Sequence, residues 1–123
     1  MIFLDTHIVV WLYQKNLDLF SAEALAMIEK EDIYISPIVQ LELEYLYEIG
    51  RLKKGSAIIT YLAKKLGLKI EQSTFEEVII MALNEKWTRD PFDRIITAHA
   101  RKRKASLITR DESIRKNYNK AFF

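Results

Sequence analysis

The segment Ile33-Tyr34-Ile35-Ser36-Pro37-Ile38-Val39-Gln40-Leu41-Glu42 holds a strand, a helix start and an acid in one short run. Ile33–Ile35 is β-branched and aromatic, the composition of a strand. Ser36-Pro37 joins a capping residue to a proline placed at the first helical position, where its missing N–H leaves no bond unmade. Apolar residues at helical spacing then continue to about Ile49, and Gly50 stops the helix. The same strand-into-helix reading recurs elsewhere. Ile2–Leu4 ends at Asp5-Thr6, a helix start, with His7 to about Tyr13 as a short helix. Ser106–Thr109 reads as a strand running into Asp111.

Between these units, Ser21 caps a helix to about Lys30, and another helix spans Ser56 to Leu66 before Gly67. Lys69-Ile70-Glu71 is a short strand. Thr74 with Glu77 makes a capping box for a helix to about Asn84. Asp90-Pro91 opens a helix to about Lys104, and Ala121-Phe122-Phe123 adds an edge strand. Strands alternating with helices predict an α/β fold, with a mainly parallel sheet covered on both faces. Ligands of such sheets bind beyond the carboxyl ends of the strands.

The chain has 123 residues, the size of one domain over 1–123. Half are hydrophobic and 29% are charged, a globular rather than disordered balance. With no cysteine, disulfides, thiolate catalysis and cysteine-ligated zinc are excluded, in keeping with a reducing compartment. No apolar run approaches the roughly 18 residues of a membrane span. Met1–Asp5 lacks a basic flank and reads as a first strand rather than a signal peptide, so a cytoplasmic location is expected. The net charge is +2, but 13 of the 17 acids are left against 19 basic residues if four acids share one site. An excess of six suits a polyanionic partner, although Lys64-Lys65 and Arg101–Lys104 also read as solvated helix faces.

Three acids reach the rim of the expected sheet by different routes. Asp5 ends the first strand, Asp111 follows the last clear one, and Glu42 lies in the second turn of the helix after Ile35. Ile38, Tyr45, Leu46 and Ile49 share a helix face with Glu42, which puts this acid on an apolar stripe. A carboxylate there needs a buried partner or a metal ion. Glu44 and Glu48 read as solvated. Asp93 borders the stripe of Ile96 and Ala100, and its spacing fits a site acid and a first-turn charge complementing the helix dipole alike. Asp90 is the cap. Asp5 and Asp111 also serve equally well as caps. Four carboxylates at one rim would raise one another's pKa unless cations shared the site. All-oxygen ligation suits Mg²⁺ or Mn²⁺, which activate water for attack on a phosphodiester.

Four segments in fixed order extend this reading: Phe3-Leu4-Asp5-Thr6-His7, Ile35-Ser36-Pro37 through Glu42, Arg89-Asp90-Pro91-Phe92-Asp93-Arg94, and Leu107-Ile108-Thr109-Arg110-Asp111. In them the chain resembles the PIN-domain nucleases, specifically the VapC-type toxins of toxin–antitoxin pairs. The resemblance implies a three-layer α/β/α PIN fold and Mg²⁺- or Mn²⁺-dependent endoribonuclease activity. It further implies an RNA substrate, a small cognate antitoxin and a homodimer. By the same resemblance Asp5, Glu42, Asp93 and Asp111 are the four site acids, with Asp5 and Asp93 ligating metal directly and Glu42 and Asp111 acting directly or through water. Thr6 and Thr109 would orient carboxylates or water. Ser36 would do the same or only cap its helix. Arg94 would touch phosphate or pair with a nearby acid. Two departures stand out: Thr88 takes a position where many members carry histidine, and the tail after Asp111 is short.

Other residues have plainer readings. His99 shares a face with Phe92, Ile95 and Ile96 and reads as a core histidine; His7, beside Asp5-Thr6, reads as structural before catalytic. Trp11, Tyr13, Tyr45 and Tyr47 are packing residues before they are base-stacking ones, with Tyr47 the freest. Two other functions compete. A non-catalytic PIN-like module that binds RNA or protein would have no need of four acids. A haloacid-dehalogenase-like phosphatase wants a second Asp two positions after the first, where His7 stands.

Overall fold

In a computed structural model, which describes residues 1–123, the central strand is β1 (Ile2–Leu4). All three of its residues are buried, as expected of a strand covered on both faces. β2 (Ile33–Ile35) and then β3 (Lys69–Ile70) lie on one side of it, β4 (Ser106–Ile108) and then β5 (Ala121–Phe122) on the other. Every pairing is parallel, so the sheet is wholly rather than mainly parallel. Phe3 sits opposite Tyr34 in β2 and Leu107 in β4.

Seven helices flank the sheet: α1 (Thr6–Tyr13), α2 (Ala22–Lys30), α3 (Ile38–Glu48), α4 (Ala57–Leu66), α5 (Phe75–Ala82), α6 (Pro91–Lys102) and α7 (Glu112–Asn117). A 3-10 turn at Leu17–Leu19, which the sequence pattern does not predict, links α1 to α2. α5 packs on α6, α6 on α3, and α1 on both α3 and α4. The core is one cluster of 24 buried apolar residues that spans the sheet and its helices. No helix is long and apolar enough to cross a membrane.

The helix ends follow the expected chemistry in most places. Ser21 Oγ accepts from Ala24 N (3.1 Å), and Asp90 Oδ1 accepts from Phe92 N and Asp93 N (2.8 and 3.1 Å). Gly67 closes α4 at φ +72°, a backbone that favours glycine. Thr74 precedes α5 as predicted, but its side chain caps no backbone N–H.

Three expectations need correction. Ser36 does not cap α3 with its hydroxyl: its carbonyl accepts from Val39 N, and the helix begins at Ile38. Glu44 is not a solvated acid. Its Oε1 accepts from Ser56 N and Ser56 Oγ (2.8 and 3.0 Å) and so caps α4 across a loop. The buried stripe of α3 is Val39, Leu43 and Leu46, while Tyr45 and Ile49 are about half exposed. Glu42 therefore lies beside the stripe rather than within it; the face α3 buries is offset from the one its apolar residues suggest.

Candidate active site

The strand order reverses direction at β1: the chain builds outward to β3 on one side, then returns to lay β4 on the other. The carboxyl ends of β1 and β4 flank this switch point, where the divergence of the following helices opens a crevice. Asp5 follows β1 directly and Asp111 follows β4. A cavity of about 400 Å³ lies there, lined by Asp5, Glu42, Asp93 and Asp111 together with His7, Trp11 and Arg110.

Two threonines hold the acids in place. Asp5 is 6% exposed, and both its oxygens are engaged. Oδ1 accepts from Thr6 N (2.8 Å) and Oδ2 from Thr109 Oγ1 (2.6 Å). Thr109 Oγ1 in turn accepts from Asp111 N (3.0 Å), which ties the ends of β1 and β4 together. Thr6 Oγ1 donates to Glu42 Oε1 at 2.5 Å, linking the start of α1 to α3. Asp111 caps α7 with Oδ1 on Ile114 N (3.0 Å), so its cap and its place on the cavity wall coexist. Asp93 reaches the cavity from the first turn of α6, behind the Asp90-Pro91 start.

The electrostatics record this crowding. Burial raises the pKa of Asp5 in spite of the hydrogen bonds from Thr109 and Thr6. Burial also raises that of Glu42; the Thr6 bond opposes this and the charge of Asp5 adds to it. Asp93 accepts no comparable side-chain bond. Burial first, then the negative charges of Asp90, Asp5, Asp111 and Glu42, push it up to about 7. Asp5, Glu42 and Asp93 thus resist ionisation, and an all-oxygen donor set of this kind is chemically matched to a hard divalent cation. The match is one of chemistry, since no three acid or histidine side chains converge closely enough to hold an ion as they stand.

Other candidate residues lie elsewhere. Arg94 does not enter the cavity or pair with an acid. Its Nε and guanidinium donate to the carbonyls of Ala82 (3.2 and 3.1 Å) and Leu83 (3.3 Å), closing the C-terminus of α5. Ser36 bonds to none of the four acids. Its hydroxyl lies 2.8 Å from His99 Nδ1, and His99 Nε2 lies 2.8 Å from Glu71 Oε1. A carboxylate only accepts, so Nε2–H donates to Glu71 and the Ser36 hydroxyl donates to Nδ1 of a neutral ring. Burial lowers the pKa of His99, consistent with that neutral form. Burial alone would raise Glu71, but its bonds from Ser73 and His99 and the charge of Arg103 bring it down to about 2. His99 is thus the core-facing residue predicted, inside a polar chain that the sequence pattern does not reveal.

The cavity also contains two residues for which the sequence favours a plainer role, His7 and Trp11, and one to which it assigns no role of its own, Arg110. His7 is exposed, makes no side-chain hydrogen bond and lines the cavity, so a structural role is not what its surroundings provide. Trp11 stands one turn beyond it on α1, and Arg110 directly precedes Asp111. The available signal was spacing: residues four apart on a helix that starts at the rim share a face. The basic run Arg101–Lys104 is also less free than it reads. Arg101 pairs with buried Glu85 (2.7 Å), Lys102 with Glu77 (3.2 Å) and Arg103 with Glu71 (2.5 Å).

A parallel α/β sheet with acids at its switch point defines the class, and the PIN domain family matches the chain over residues 2–120. The protein belongs to that family, whose members are generally nucleases. Its fold is similar to that of a chain in a toxin–antitoxin complex from Klebsiella pneumoniae, at 19% identity and a TM-score of 0.65, covering 100% of this chain and 97% of that one. It is also similar to a chain of VapBC2 from Rickettsia felis, solved bound to a promoter DNA fragment, at 21% identity and a TM-score of 0.67, covering 99% and 96%. No curated protein sequence matches it.

Proposed function

We propose that the protein is a Mg²⁺- or Mn²⁺-dependent endoribonuclease and the VapC-type toxin of a toxin–antitoxin pair. The observation that carries this reading is one cavity lined by Asp5, Glu42, Asp93 and Asp111 in a chain of the PIN family. Asp5 and Asp93 would hold the ion directly, with Glu42 and Asp111 acting directly or through water. A bound Mg²⁺ or Mn²⁺ supplies a lowered pKa for water and charge stabilisation at a phosphodiester. The chain's own residues do the rest. Thr109 and Thr6 fix the Asp5 carboxylate, Thr6 fixes Glu42, and half-buried Asp93 retains a proton near neutrality when no cation is present.

An antitoxin partner fits the apolar groove between α1, α2 and α4, lined by buried Leu12 at its floor and by Leu17, Leu25, Ile28, Tyr61 and Leu66 beside Lys15 and Lys65. That chemistry suits an amphipathic helix with acidic flanks, laid into the groove from a protein encoded nearby. Homodimerisation through half-exposed Ile80 of α5 and Leu83 just after it, and a cytoplasmic location, belong to the same reading.

The test uses purified protein with structured RNAs in Mg²⁺ or Mn²⁺, with and without chelator, beside Asp93→Asn. The expected result is chelator-sensitive cutting that a folded Asp93→Asn protein loses. Equal cutting by the variant would rule out this site. RNA binding without cutting across many targets would favour the non-catalytic module.

A further inference from the structure

Carboxylates that attract a cation also repel a polyanion, so the positive charge available at the cavity decides how RNA is held there. Of the seven lining residues only Arg110 and His7 can supply it. Arg110 is exposed, and none of the chain's ion pairs uses it, although four carboxylates line the same cavity. Only its backbone carbonyl enters a hydrogen bond, accepting from Arg115 (3.1 Å).

Aromatic rings hold its side chain instead. The guanidinium lies over Trp11 and Phe123, 5.8 and 5.5 Å from their centroids. Those rings meet edge to face at 6.0 Å, and each packs on Phe20 at 6.1 Å. The shelf is therefore assembled from α1, the segment before α2 and the chain end beyond β5. These cation–π contacts spend none of the guanidinium's N–H donors on a hydrogen bond, and that donor fork matches phosphate oxygens.

We propose that Arg110 is the cavity's phosphate-binding residue, donating to a backbone phosphate of the RNA strand adjacent to the bond held over the carboxylates. The inference rests on the nuclease reading above. It also gives Arg110 the role that Arg94 cannot fill, because Arg94 is bonded to the end of α5.

The experiment compares the parent protein, Arg110→Gln and Arg110→Lys on a labelled single-stranded RNA in Mn²⁺. KM and kcat are read across a KCl series, with a thermal melt of each protein. Arg110→Gln should raise KM about tenfold, as for loss of one charge-assisted hydrogen bond. It should also flatten the slope of log KM against log salt by about 0.7, one phosphate contact on a single strand. Arg110→Lys should keep most of the slope. If the parent cuts and Arg110→Gln keeps its KM and salt slope while melting lower, Arg110 only packs on its rings and the inference fails alone. If the parent neither binds nor cuts RNA, the nuclease reading fails with it.

Discussion

Replacing Asp93 by Asn should stabilise the metal-free protein above neutrality and leave it unchanged in mild acid. Moving a carboxyl from its ordinary 3.8 to about 7 corresponds to about 4 kcal/mol between its two protonation states. Asp93 is only half-buried, and solvent screening brings the usable part to on the order of 1–2 kcal/mol. The sign follows from proton counts. Between pH 4 and 7 the native protein keeps a proton that the unfolded chain has released, so stability falls as pH rises through that window. Asparagine carries no such charge at any pH. Its loss of a first-turn interaction with the helix dipole offsets only a few tenths of a kcal/mol. For a chain of this length Asp93→Asn should raise Tm by roughly 3–8 °C at pH 8 in chelator, with no gain at pH 4. Circular-dichroism melts from pH 4 to 9 measure this directly. Millimolar Mg²⁺ should then reverse the order, since an ion that binds only the native parent raises its stability by mass action. A parent-to-variant difference in Tm that stays constant from pH 4 to 9 would falsify the account of Asp93 as a carboxyl crowded by its neighbours.

Two further substitutions probe the scaffold that carries the acids. A Cβ on Gly55 would overlap Glu44 Oε1, so Gly55→Ala should dislodge the cap on Ser56 and cost about 1 kcal/mol of stability in urea unfolding. Glu71→Gln should cost about 2–3 kcal/mol at pH 7, because it removes the charge that faces Arg103 and leaves one acceptor oxygen for both Arg103 and His99, with an amide donor set against the other. Glu71 is held down to about 2, so its contribution is complete above pH 4.5 and fades as pH falls toward 2; acid melts of parent and variant should converge there.

Most of the fold was legible as a pattern along the chain, because its signals are local. Short runs rich in apolar and β-branched residues marked β1, β2 and β4, and Asp90-Pro91 and Gly67 marked a helix start and a helix stop. Backbone hydrogen bonding and φ preferences act within a few residues, so composition alone reports them. Asp5, Glu42 and Asp111 were legible as rim residues, since each sits at a strand end or in the first turns of a helix, while Asp93 joined them only through the family resemblance. Partner choice was not legible, because it depends on side chains far apart in sequence. Arg94, next to an acid in the chain, reaches back to Ala82 and Leu83, while Arg110 is drawn over rings from Trp11 and Phe123. Ser36, 63 residues from His99, bonds to it rather than to its own helix. Glu42 stands at the edge of its stripe because packing on α6 and α1 decides which face α3 buries, which no periodicity count contains. By itself the sequence determined the alternation of strands and helices and which acids could meet. Only tertiary packing decided which cations were left unpaired beside those acids, because burial makes each polar group take whatever partner three-dimensional proximity offers.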